Sequence, residues 1–308
     1  MKEFKSFDEQ LRILRDRGLI VADDEKAKRF LEQENYYNVI NGYKDLFLEK
    51  DANGRPIEPE TSKAGTDFKE LRNLYLFDRE LRSILLKNLL IFENSIKTQI
   101  SYEFSNAYLE LSNYIDDPKS VMKQISMLTK IISDRVDKEP SIKHYVEVHG
   151  EVPLWVLMNY LTIGNVSYLF GILTESLKNR IAKFYSEKYK VQYGESLQIS
   201  SSDLSAIIKM TNIVRNKCAH EERVYNSNLK NIRSANIVNH FRLAEVDNKK
   251  LFLSIVMMKA VLDKAQFSTF YSEIKKLFEC YEDKFQTISF NDILEIMGIT
   301  ISNFEKLV

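Results

Sequence analysis

The chain opens with apolar residues at helical spacing. Phe7, Leu11 and Leu14 fall on one face of a helix, and Gly18 stands where that helix should stop. Asp23-Asp24-Glu25 supplies a cap and an acidic first turn for a second helix with Ala27, Phe30 and Leu31 on one face. The next stretch, Asn35 to Tyr43, is dense in tyrosine. Such rings can stack on nucleobases, although in helical proteins they more often pack inward with the hydroxyl tied to a polar partner. Residues 7 to 50 therefore read as two or three short helices, and Asn53-Gly54, Pro56 and Pro59 mark residues 51 to 67 as a loop.

A long helix is predicted from Phe68 to about Tyr108, because Leu81, Leu85, Leu89, Phe92, Ile96 and Ile100 make a continuous apolar stripe with Glu93 at its edge. Asp117-Pro118 pairs a capping residue with a proline at the first helical position and predicts another helix start. Pro140 marks a break. Pro153-Leu154-Trp155-Val156-Leu157-Met158 opens a strongly apolar helix expected at the centre of the core. Residues 175 to 190 form a basic amphipathic pattern, Gly194 to Ser200 a loop, and Ser201-Ser202-Asp203 a cap for the helix that follows. Residues 227 to 249 are polar and without a clear period. One helix is predicted from Leu251 to Tyr281 and a small helical tail from Asp292 to Val308. No strand pattern, repeat or low-complexity tract interrupts this all-α reading.

Composition agrees. Only nine Gly and five Pro punctuate 308 residues, which favours long helices over many short strands. The 44% apolar and 11% aromatic content is ample for a core. Two cysteines, Cys218 and Cys280, cannot build a disulfide framework and point to a reducing compartment. The N-terminus has no secretory apolar region, and the longest apolar run, Leu251 to Met258, is far short of a span. A soluble cytoplasmic protein with no membrane partner is expected. His144 and His149 have no cysteine or carboxylate set at ligand spacing, so no metal site is expected there.

Charge changes the picture locally. The 44 cations balance 44 anions overall, but between Lys178 and Arg233 eleven Lys or Arg face five Asp or Glu, 11 − 5 = +6. Such a segment attracts phosphate polyanions, although a solvated helical face explains the charge equally well. At its centre lies Val214-Arg215-Asn216-Lys217-Cys218-Ala219-His220, followed by Glu221-Glu222-Arg223-Val224-Tyr225-Asn226. A guanidinium holds a phosphate by charge-assisted bidentate bonds, and an imidazole passes protons near neutral pH. Together they suffice to cleave RNA without a metal, since RNA supplies its own 2′-hydroxyl nucleophile. At 100° per residue, Leu204, Ile208, Thr211, Arg215 and Cys218 share one face, and Asn212, Asn216, His220 and Arg223 form a neighbouring polar stripe. Cys218 thus reads as core, not as a nucleophile. Arg215 beside an apolar face needs a partner, and Glu93 is the candidate.

Five segments in order extend the signal beyond Arg-x4-His: Arg17-Gly18-Leu19-Ile20; Asn35-Tyr36-Tyr37 with Asn41-Gly42-Tyr43; Leu74 to Arg82; Pro153 to Met158; and Arg215 to His220 with Arg223 to Asn226. In these the chain resembles the Abi-like (AbiD/AbiF-type) abortive-infection proteins of the HEPN ribonuclease superfamily. The resemblance implies an all-helical, HEPN-like bundle. An N-terminal segment (1–50) would pack on a core (68–285) bearing the Arg-x4-His motif, followed by a C-terminal tail (286–308). It also implies a cofactor-free endoribonuclease, a homodimer in which two motifs meet, and in some systems control by a non-coding RNA. Related sequences often carry a second histidine after the motif histidine. Here that position is Glu221, which argues against a relay through two adjacent histidines.

On this reading Arg215, Asn216 and His220 are the catalytic candidates, and Lys217, Arg223, Tyr225 and Asn226 the RNA-binding ones. The expected function is a metal-independent endoribonuclease of a phage-defence, toxin–antitoxin type acting by 2′-hydroxyl transesterification. RNA is the expected substrate, with a structured non-coding RNA as inhibitor, and no DNA partner is expected. The alternative is a non-catalytic RNA-binding scaffold of the same fold.

Overall fold

A computed structural model describes residues 3–107, 118–229, 232, 233 and 235–308. Its spine is a 40-residue helix, α3 (Phe68–Ala107), and the residues of the predicted stripe are the ones it buries, Leu81, Leu85, Leu89, Phe92, Ile96 and Ile100. Around this spine pack α8 (Glu175–Tyr193), α9 (Ser201–Ala219), α11 (Phe252–Val261) and α12 (Lys264–Tyr281), with α7 (Ile163–Ile172) against α9. Their apolar faces merge into one continuous core. Among the described residues there is no strand. Isolated bridges alone, Ile20 with Asp67, Leu48 with Ser62 and Lys50 with Pro56, tie down the loop predicted between 51 and 67.

The N-terminal segment forms α1 (Phe7–Asp16) and α2 (Asp24–Gln33). Ser6 and Glu9 close a capping box at the start of α1, and Gly18 takes a left-handed φ of 81° just after its end. The tyrosine-rich stretch becomes a π turn, Tyr37–Asn41, and a 3-10 turn, Lys44–Leu46. A π turn is rare and widens the backbone, which here carries Tyr37, Asn38 and Asn41 to the surface while Val39 and Ile40 stay buried.

Three sequence expectations are corrected. The apolar segment after Pro153 enters the core through Leu154, Leu157 and Met158, but its helix is only one turn, α6 (Leu154–Leu157), followed by a 3-10 turn, Met158–Tyr160, and Trp155 is 53% exposed. The cap of α9 is Ser200, one residue earlier than predicted, in a reciprocal box with Asp203. The helix expected from Leu251 to Tyr281 is two helices, because Leu262 is extended and Asp263 restarts the chain in a capping box with Gln266. Helix α4 (Pro118–Arg135) begins at the predicted proline, its expected cap Asp117 lying outside the described residues. Two short helices, α5 (Pro140–His144) and α10 (Ala235–His240), fall in segments without a strong period, and the tail forms α13 (Phe290–Met297) and α14 (Ile301–Glu305).

The join between α12 and α13 is held by one carboxylate on the spine. Glu70, 4% exposed, accepts from the Gln286 amide at 2.7 Å, the Thr287 amide at 2.9 Å and the Thr287 hydroxyl at 2.7 Å. Removing it takes the acceptor from two amides and a hydroxyl in a part-buried setting, a costly loss. Glu70→Ala is expected to lower unfolding free energy by about 3 kcal/mol in a denaturant titration. A change below about 0.5 kcal/mol would show that water replaces the carboxylate.

Candidate functional site

Helix α9 ends at the motif. His220 is its C-cap, Glu221 takes the left-handed conformation at φ 57°, and the Glu222 amide bonds back to the Lys217 carbonyl at 2.9 Å. The Glu221 amide bonds to the Cys218 carbonyl at 3.3 Å, completing the two-bond Schellman closure of a helix end. This position usually takes glycine, so Glu221 here carries a backbone cost of about 1 kcal/mol. The turn swings the chain away from the helix and leaves the His220 side chain exposed. Among the described residues no hydrogen bond engages its ring.

What catches the chain next is Asp78, on α3 and wholly buried. Its carboxylate accepts from the Tyr225 amide at 2.8 Å, the Val224 amide at 3.2 Å, the Tyr43 hydroxyl at 2.7 Å and Arg82 at 2.9 Å. Burial pushes the Asp78 carboxyl up, against the pull of Tyr43, Arg82 and the two amides. Burial also opposes the Arg82 charge, yet there Asp78 and Tyr43 prevail and hold Arg82 raised. The two directions conflict over whether the pair is charged. The two amides and Arg82 can only donate, an arrangement that the ionised carboxylate satisfies best, so the pair is read as charged. Tyr43 stacks on Tyr225 at 5.7 Å, and Arg223 donates to the Gly42 carbonyl. One cluster thus fastens the segment after the motif to the N-terminal π turn.

Between these pieces lies a polar cleft of about 460 Å³. Its lining includes four predicted site residues, Lys217, His220, Arg223 and Asn226, together with Glu221 and Glu222. Opposite them stand Tyr37, Asn38 and Asn41. Lys217 pairs with Glu222 at 3.0 Å, and Tyr37 is 69% exposed. The N-terminal wall was not assigned from sequence. The tyrosine-rich stretch was noticed, but nothing in a linear reading places it against residues some 180 positions later.

The remaining predicted site residues lie elsewhere. Tyr225 is 1% exposed and stacked on Tyr43, so its ring cannot reach a base; the RNA-binding assignment is corrected to packing. Arg215 and Asn216 do not line the cleft. Five residues separate Arg215 from His220, about 140° around a helix. Arg215 Nε lies 3.3 Å from Glu93 Oε2, and Lys97 reaches the other Glu93 oxygen at 2.8 Å. The Arg215 Nε–H is not aimed at that oxygen, and neither atom has a hydrogen-bond partner, so this is an ion pair without a formed hydrogen bond. Arg215 also approaches Asn216 Oδ1 at 3.4 Å, and Asn216 donates to Asn212 at 3.0 Å. Asn216 thus links Arg215 to Asn212 along the polar stripe of α9.

Among the described residues no group of His, Cys, Asp or Glu is arranged to hold a metal ion, and no helix is long and apolar enough to cross a membrane. Burial pushes the Cys218 thiol up to about 12, with the nearby Asp78 adding to the shift. At pH 8 about one Cys218 in ten thousand would be thiolate. Alkylation of the folded protein at pH 8 is expected to label exposed Cys280 and leave Cys218 unmodified, as read by peptide mass mapping. Rapid labelling of Cys218 would contradict its place in the core.

The family model described as Abi-like protein matches residues 29–226. No curated protein and no solved structure matches the chain. The matched span begins in α2 and ends at Asn226, so it contains the Asp78 cluster and all of the cleft lining except Ser227 and Asn228. The family points to an abortive-infection role in phage defence. The chain belongs to the Abi-like protein family.

Proposed function

We propose that the cleft beneath His220 is the working site of a metal-independent endoribonuclease used in phage defence. The observation that carries this reading is the position of His220. Its imidazole projects from a helix end into a polar cleft, with Lys217 and Arg223 beside it and, among the described residues, no hydrogen bond to restrain it. An imidazole so placed can take the proton from a 2′-hydroxyl or give one to the leaving 5′-oxygen. Lys217, Arg223 and Asn226 would follow the phosphate backbone, and the exposed Tyr37 ring offers a platform for a base. Cleavage by this route leaves a 2′,3′-cyclic phosphate and a 5′-hydroxyl.

A single chain supplies one imidazole to this cleft and keeps Arg215 away from it. Transesterification needs one proton removed and another delivered. The proposal therefore includes a homodimer whose two-fold axis passes near the C-terminal end of α9, bringing two motifs together. A structured RNA lying across the local +6 surface would block the same cleft, with affinity falling steeply as salt rises. The Glu93–Arg215 pair favours a second reading, in which the cleft binds RNA without cutting it.

Incubating the purified chain with labelled RNA in EDTA separates the two. Cleavage is expected to persist without divalent metal and to stop when the 2′-hydroxyl at the cut site is replaced by hydrogen. His220→Ala should slow it by about 10²–10⁴-fold with RNA affinity nearly unchanged. Strict dependence on magnesium, or wild-type cleavage by His220→Ala, would overturn the nuclease reading. Binding with no cleavage in any condition would support the scaffold.

A further inference from the structure

Helix α11 is buried along its whole length, and Lys259 is its one ionisable residue. The side chain is 6% exposed and has a single oxygen partner, the Leu307 carbonyl at 2.7 Å. Aromatic faces make up much of the rest of its surroundings: its Nζ lies 5.1 Å from the Phe241 ring centroid, 5.8 Å from Phe267 and 5.9 Å from Tyr193. Among the described residues it forms no ion pair. A buried ammonium without a carboxylate is expensive, and each aromatic face returns only about 0.5–2 kcal/mol. Burial accordingly pulls Lys259 below the ordinary lysine range, against the field of Glu195.

A second donor lies at the same place. The Tyr193 hydroxyl is buried and has no hydrogen-bond partner. Its ring stacks on Tyr189 at 4.5 Å, and both rings, with Lys259, line a cavity of about 270 Å³. Lys264 adds a second cation to the lining, and Glu195 is its carboxylate. Asp263, which also acts on Tyr193, is held by Lys188 at 2.7 Å and caps α12. Among the described residues two ammonium protons and one phenolic proton therefore have no acceptor, beside a cavity holding roughly nine times the ~30 Å³ a water occupies. Donors of this kind fit an anion with more than one oxygen, and the aromatic walls fit a flat apolar body attached to it.

We propose that this cavity binds a small organic oxyanion, a carboxylate or phosphate monoester with a flat apolar body, held by the Lys259 ammonium and the Tyr193 hydroxyl. The site is built from α8, α11 and α12 with Glu195, Leu307 and Val308, and shares no residue with the cleft at His220, so it stands independently of the nuclease reading.

The test uses the full chain without RNA and three probes: benzoate, phenyl phosphate and inorganic phosphate, with benzyl alcohol as the neutral control. Titration calorimetry and thermal melting are expected to show saturable binding and a raised melting temperature with benzoate or phenyl phosphate. The stronger of the two identifies the headgroup. Inorganic phosphate should bind more weakly and benzyl alcohol not at all. Tyr193→Phe should weaken binding by about tenfold, the equivalent of about 1.4 kcal/mol. Its melting temperature without ligand should match or exceed that of the wild type, because an unpaired buried hydroxyl has been removed. Lys259→Met should abolish binding. If that variant fails to fold for want of the Leu307 contact, Tyr193→Phe decides the matter. Absence of binding by both aromatic anions, equal binding by Tyr193→Phe, or equal binding of benzyl alcohol would overturn the proposal.

Discussion

A carboxylate with no access to water holds this molecule's working surface together. Asp78 sits inside α3, where an unpaired charge would cost several kcal/mol, and it is tolerated because donors converge on it from three directions. One is Arg82, a turn further along the same helix. One is Tyr43, from the N-terminal segment. The third is the backbone at Val224 and Tyr225, just past the motif helix. The second lies between a π turn and a 3-10 turn and the third has no regular secondary structure, so neither is held in place by a long helix of its own. The carboxylate supplies that hold, and the cleft is the space left between the two segments it fastens.

The same device recurs along the spine. Glu70 fastens the turn at Gln286 and Thr287, Asp78 the turn at Val224 and Tyr225, and Glu93 the side chains of Arg215 and Lys97. Helix α3 thus contributes more than its apolar stripe. Its buried acids specify which distant segments may lie against it, which apolar packing alone does poorly. Glu93 differs from the other two in lacking good hydrogen-bond geometry to Arg215. That pair is the loosest of the three contacts and the one where a phosphate could compete for the guanidinium.

Much of the helical framework was legible in the chain because period and punctuation agreed. The stripe from Leu81 to Ile100 and the core face of α9 are both present where spacing placed them. The Glu93–Arg215 pairing was legible for an energetic reason: a guanidinium on a core face needs an acid, and Glu93 lay at the edge of the facing stripe. Other features gave no such handle. Helix α11 is buried all round, so no period announced its end at Leu262, although the three-residue spacing of Asp263 and Gln266 could have signalled the restart. Tyr225 was grouped with the RNA-binding residues of its segment, and nothing in the linear order shows that its ring is covered by Tyr43. The Asn38–Asn41 wall of the cleft is a tertiary fact, created by a clamp whose partners lie 35 and about 147 residues from Asp78.

Amide hydrogen exchange at Val224 and Tyr225 tests the Asp78 clamp most directly. Loop amides with no fixed acceptor exchange within seconds to minutes, whereas amides bonded to a buried carboxylate open only when the local structure does. The account predicts that these two amides exchange nearly as slowly as the interior of α3 in the wild type. In Asp78→Asn they should exchange far faster, while Leu85 to Phe92 remain protected. Exchange of Val224 and Tyr225 at loop rates in the wild type would contradict the claim that a buried carboxylate builds the cleft.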